Sequence, residues 1–122
     1  MQAKRKFVTR SLARITPFSF EGMSIRPLIA KEDTKAMVAY HIRIPAMTRI
    51  PHSYHKLASE VIHVLSGEGT VHLDRRRVAV KAKDSIFIQP RVWHSFSTGK
   101  KPLTVLAVLS PRADPKTDLY HR

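Results

Sequence analysis

Apolar and polar residues alternate in short runs along most of the chain, and turn-forming residues separate the runs. Val38, Tyr40, Ile42 and Ile44 share one face while Met37, Ala39, His41 and Arg43 share the other, the period-two pattern of a half-buried strand that Pro45 ends. Residues 24–29 read as a short strand, with Pro27 marking an edge. Residues 50–55 and 60–66 give two more strands. Gly67-Glu68-Gly69 is expected to turn into a strand over 70–73, and Asp74-Arg75-Arg76 to turn again into 77–80. Runs over 85–88 and 92–97 follow, and residues 103–109 form the most continuously apolar stretch. Residues 31–34 permit one turn of helix, and no longer helical window is present. The tail from Pro111 reads as irregular, with His121 exposed. Short strands with turn signals roughly every 8–12 residues specify an all-β sandwich or barrel.

Length and composition narrow the class. At 122 residues the chain is expected to be a single domain spanning 1–122. It has no cysteine, which excludes disulfides, thiolate zinc sites and cysteine nucleophiles and leaves histidine, carboxylate and water as metal ligands. No apolar run approaches the roughly 20 residues of a membrane span, so no membrane association is expected. Residues 1–20 carry Lys4, Arg5, Lys6, Arg10 and Arg14 without an acid. Such a start has some character of a transit peptide, but residues 6–10 read equally as an edge strand. No secretory signal is visible, and a cytoplasmic location is expected. The net charge of +13 favours anionic partners. Its cations are scattered, with no interleaved aromatic platform, so nucleic acid is not the expected partner.

The chemistry concentrates where Pro51-His52-Ser53-Tyr54-His55 is followed by Glu60 and an apolar run. Imidazole nitrogen and carboxylate oxygen together suit a borderline divalent metal. On one unbroken strand His55 and Glu60 would face opposite ways, because side chains alternate. They converge only if residues 56–59 form a loop joining two strands. His94, inside a later strand, is the third candidate ligand. Ligands delivered from separate strands point to a barrel with a metal inside.

At these residues the chain resembles the cupin superfamily. Its first motif is a His-x-His pair, three or four residues, Glu, six residues and Gly; His55, Glu60 and Gly67 match it, with Ser53 at the first histidine position. Its second motif is matched in texture by residues 84–88 and 90–94, including His94, while Lys83, Gln89, Arg91 and Thr98 stand where Gly, Pro, Gly and Asn are usual. The resemblance covers roughly residues 36–110, leaving 1–24 as an N-terminal strand or arm and 111–122 as the tail. It implies a double-stranded β-helix (jelly-roll) barrel, a homodimer, and one divalent ion (Fe, Mn, Zn or Ni) held by motif histidines and glutamate.

His52 leaves two site compositions open. A bulge around Ser53 would turn it inward and give His52, His55, Glu60 and His94; without one, His55, Glu60 and His94 form the two-histidine, one-carboxylate set of non-haem iron sites. Either set needs neutral imidazoles, so metal binding is expected to weaken below about pH 6. His63 falls on the opposite face from Glu60 and reads as a surface or dimer-interface residue. Trp93 points away from the site. Arg43 and Arg49 are the nearest cations for clamping an acidic substrate.

The expected function is a metal-dependent enzyme of dioxygenase, isomerase or lyase type. Its small-molecule ligand sits in the barrel, with a tilt toward a sugar acid or keto acid. Candidate catalytic groups are Tyr40, His41 and His72. The alternative is a non-catalytic metal or small-molecule binding module. A proton-active side chain in the cavity would separate the two, since a binding module needs only an inert wall.

Overall fold

A computed structural model describes residues 6–113 and 118–121. The basic start at Lys4 and Arg5 and the side chain of His121 lie outside the described residues. Ten strands form: β1 (Phe18–Phe20), β2 (Met23–Ile29), β3 (Val38–Ile44), β4 (Ser53–His55), β5 (Ser59–Leu73), β6 (Arg76–Lys81), β7 (Ser85–Ile88), β8 (His94–Ser97), β9 (Leu103–Ser110) and β10 (Leu119–His121). Among the described residues the strand pairings are antiparallel, in the order β1-β2-β3-β9-β5-β8-β4-β10, with β6 and β7 also on β5. The all-β expectation holds, and the antiparallel sheet curls on itself around one core. Residues 6–10 form no strand; Arg10 instead pairs with Asp33 at 2.7 Å. Residues 31–33 are a turn, and the described helical element is a 3-10 turn at Leu12–Arg14.

β5 organises the barrel. Its first half pairs with β7 and β9, and its second half with β6 and β8. The expected turn at Gly67-Glu68-Gly69 is therefore no turn, because the strand runs through it while changing partners. Gly67 is what permits the passage. Its φ is +83°, and a Cβ there would lie 1.9 Å from the Pro102 carbonyl oxygen, so any side chain would force the strands apart.

Inward positions of both halves meet in one core. Val38, Ile44, Val64, Val71, Leu103 and Val105 are completely buried. Each such side chain contributes about 1.5–3 kcal/mol of transfer free energy. Pro27 sits where the β2–β3 register shifts, in the half of β2 that β1 does not cover, so its missing N–H costs no ladder bond on that side. The tail is not wholly irregular. β10 pairs with β4, Leu119 opposite His55 and His121 opposite Ser53.

Candidate metal centre

Residues 56–58 join β4 to β5, so His55 and Glu60 come from two strands, and β8 sets His94 opposite Ser53 of β4 and Leu73 of β5. His55 Nε2 lies 3.4 Å and His94 Nε2 3.2 Å from Glu60 Oε1. One ligand atom from each of the three residues can be chosen so that all lie within 4.8 Å of one another. A divalent ion bound at about 2.0–2.2 Å sets neighbouring ligand atoms about 3–3.5 Å apart, which matches the two short distances.

Burial sharpens the point. Glu60 and His94 are each 7% exposed, yet Glu60 Oε1 makes no aligned hydrogen bond. A carboxylate oxygen buried beside two imidazole nitrogens, with no hydrogen aimed at it, fits lone pairs converging on a shared cation. The residues present therefore fit a divalent ion. His94 Nδ1 donates to the Val92 carbonyl at 2.9 Å, which leaves its Nε2 lone pair for the site.

The electrostatics agree. Burial pushes the Glu60 carboxyl up, but the facing imidazoles of His55 and His94 outweigh it and hold the group at about 2. Burial likewise pushes His94 down, and the Glu60 carboxylate more than restores it, leaving its pKa raised.

The turns before β7 and β8 survive the loss of their glycines. Lys83 and Arg91 occupy the positions where glycine is usual, and both have left-handed backbone, φ 80° and 69°. Each costs roughly 1–2 kcal/mol that glycine would avoid. Arg91 N–H donates to the His55 carbonyl at 2.7 Å, tying the turn before β8 to the end of β4.

His52 does not join the group. Ser53 faces the cavity, and His52 points to the other side of the pleat, where its Nε2 lies 3.3 Å from Ser95 Oγ and its ring 5.8 Å from that of His72. His52 precedes β4, and the ligand atoms that converge are those of His55, Glu60 and His94. His72 bonds Ser97 Oγ through Nε2 at 3.0 Å on that same outer face. Its pKa is lowered by burial first, then by His52, Arg77 and Arg49.

Of the catalytic candidates, Tyr40 lines the cavity, while His41 and His72 do not. His63 Nδ1 meets Ser85 Oγ at 2.7 Å, and Trp93 stacks edge-on with Tyr54.

The cavity holds about 140 Å³. His55, Glu60 and His94 form its polar end, and Phe18, Phe20, Met23, Ile25, Ile42 and Phe96 supply much of its apolar wall. Among the described residues no lysine or arginine lines it, and Arg43 and Arg49 are exposed outside it, in the solvated role rather than as a clamp on an acid in the cavity.

Two contributions went unread in the sequence. β1 and β2 form a hairpin that adds Phe18, Phe20, Glu21 and Met23 to the wall; its signal was the Glu21-Gly22 pair, both with positive φ, between two alternating runs. Asp118 reaches the site from the tail with no local pattern to announce it.

Ligand-bearing strands around the apolar cavity of a curled antiparallel sheet define a barrel of the cupin class, with a side-chain group able to hold a metal. The chain belongs to the Cupin domain family, which matches residues 40–109. Among solved structures, Streptomyces PAC13 with uridine, described as a nucleoside dehydratase, is 15% identical, with 97% of this chain and 92% of that one covered at a TM-score of 0.80. Ectoine synthase from P. lautus is 13% identical, with 95% and 90% covered at 0.81. A predicted oxalate decarboxylase from Thermotoga maritima is 26% identical, with 86% and 99% covered at 0.76. No curated protein matches the sequence. Among the described residues no helix is long and apolar enough to cross a membrane.

Proposed function

We propose that the protein is a metal-dependent enzyme acting on a small carbonyl or carboxylic acid whose remainder is apolar. His55, Glu60 and His94 would hold one divalent ion, with positions left open for substrate or water. Such an ion, when bound, polarises a carbonyl or carboxylate oxygen or activates water or dioxygen. The apolar wall orients the rest of the molecule and excludes water. A cavity of about 140 Å³ is small beside the roughly 300–1,000 Å³ of drug-sized sites, which limits the substrate to a few carbons beyond its polar head.

The wall favours a keto acid over a sugar acid, since it offers few partners for sugar hydroxyls and no cation for a second carboxylate. The likeness to a predicted oxalate decarboxylase supports a carboxylate head. The observation that carries an enzyme over an inert binding module is Tyr40, a phenol in the same cavity as the metal group and placed to hold or transfer a proton.

The test is turnover of short aliphatic and aromatic 2-oxo acids by the metal-loaded protein and by Tyr40→Phe. The variant should keep its metal and lose about 10²–10⁴-fold in rate. Undiminished turnover in Tyr40→Phe would remove the phenol's role. Binding of these acids by the wild type without turnover would favour the binding module.

A further inference from the structure

Asp118 is the one buried carboxylate besides Glu60 among the described residues, and it is 4% exposed. It precedes β10 and is pinned against the connection that carries both His55 and Glu60. Its backbone carbonyl accepts the Lys56 N–H at 2.7 Å, and its Oδ1 accepts the Leu57 N–H at 2.7 Å. Its second oxygen, Oδ2, lies 3.4 Å from His55 Nδ1. Neither of those two atoms has another hydrogen-bond partner, although both are buried. A buried carboxylate oxygen without a donor is costly, and the imidazole N–H is the group beside it able to relieve that cost.

We propose that Asp118 is a positioning residue for the metal centre: its Oδ2 takes the Nδ1 proton of His55 and thereby turns the Nε2 lone pair toward Glu60. The parallel with His94 supports this. Both histidines present Nε2 to the same Glu60 oxygen, and both have Nδ1 facing an oxygen, a carbonyl at His94 and a carboxylate at His55. A histidine ligand held by a carboxylate is both oriented and made more basic. Asp118 also adds a second negative charge beside Glu60, so the centre as a whole balances a divalent ion. The inference rests on the metal reading above.

Asp118→Asn is the discriminating variant. The side chain has one oxygen where two acceptors are needed. With that oxygen kept on the Leu57 N–H, the amide NH₂ faces His55 Nδ1 and requires it to accept. His55 must then carry its proton on Nε2, where it blocks the ion.

The experiment measures the side-chain ¹⁵N shifts of His55 in the metal-free full-length protein at pH 8, and the Zn²⁺ dissociation constant by chelator competition. Wild type should show the Nδ1–H tautomer. Asp118→Asn should show Nε2–H and bind Zn²⁺ about 10–100-fold more weakly. An Asn variant that keeps the Nδ1–H tautomer and wild-type affinity overturns the proposal. The tautomer is read without metal, so if wild type binds no Zn²⁺ the metal reading fails while the role of Asp118 is still decided by the shifts. Asp118→Ala provides the second variant: it removes the acceptor for Nδ1 and leaves Glu60 facing Nε2, so a folded Ala variant should lose the Nδ1–H preference and bind Zn²⁺ more weakly, and one that keeps both as in wild type would contradict the mechanism.

Discussion

The molecule carries two histidine pairs on neighbouring parts of the barrel, His55 of β4 with His94 of β8 and His52 just before β4 with His72 of β5, and only the first is gathered around a carboxylate. His55 and His94 point inward, with ring centroids 5.5 Å apart and Nε2 atoms converging on a buried carboxylate. His52 and His72 point outward, with ring centroids 5.8 Å apart, and their Nε2 atoms meet serine hydroxyls. Ring spacing is nearly the same in the two pairs. What differs is the third partner: an anion that favours a cation between the rings on the inside, and Arg77 and Arg49 raising the positive potential around His72 on the outside. Strand parity decides which histidine belongs to which pair, and so decides the chemistry.

Moving a histidine across that boundary should have the largest effect. Ser53 is inward and buried, pairs with His94 across β4 and β8, and stands where the family resemblance places a histidine. Ser53→His should add a fourth protein ligand and tighten Zn²⁺ binding by about tenfold or more, measured by chelator competition. No change in affinity would mean that inward parity alone does not make a ligand.

A smaller and pH-dependent effect should mark the inner pair. Glu60 is held at about 2, below its ordinary 4.5, so its contribution to the stability of the metal-free protein is present above pH 4.5 and lost as pH falls toward 2. His94 is raised above 6.5, so its contribution is complete below pH 6.5 and lost as pH rises through its folded pKa. The melting temperature of chelator-treated protein should therefore peak between about pH 4.5 and 6.5. Zn²⁺ should reverse the decline on the alkaline side, because it binds the neutral imidazoles. A metal-free melting temperature that climbs steadily through pH 8 would contradict this picture of the inner pair.

Much of this was readable from the sequence, and the reasons are local. The spacing of His55 and Glu60 demanded a connection between two strands, and residues 56–58 provide it. Alternation in residues 37–44 placed Tyr40 on the face of Val38 and Ile44, where the cavity lies. Other features depend on contacts distant in sequence. Gly67 looked like a turn because its role, passing under Pro102, involves a residue 35 positions later by the numbering. Lys83 and Arg91 each keep a left-handed turn that their side chains disfavour, held by the flanking strands and by the bonds Lys83 N–H donates to the Val64 carbonyl and Arg91 N–H to the His55 carbonyl. Asp118 could not be placed at all, because its neighbours in the tail carry no periodic pattern and its partners lie 61 and more residues away. The position of His52 was undecidable from composition, since either a bulge or regular pleating was compatible with Pro51 and Ser53.

The central claim is that the inner histidines hold an ion and the outer ones do not, and elemental analysis of two double variants tests it directly. The account predicts close to one divalent ion per chain in the wild type and in His52→Ala/His72→Ala, and almost none in His55→Ala/His94→Ala. Full occupancy in the inner variant, or loss of metal in the outer one, would contradict it.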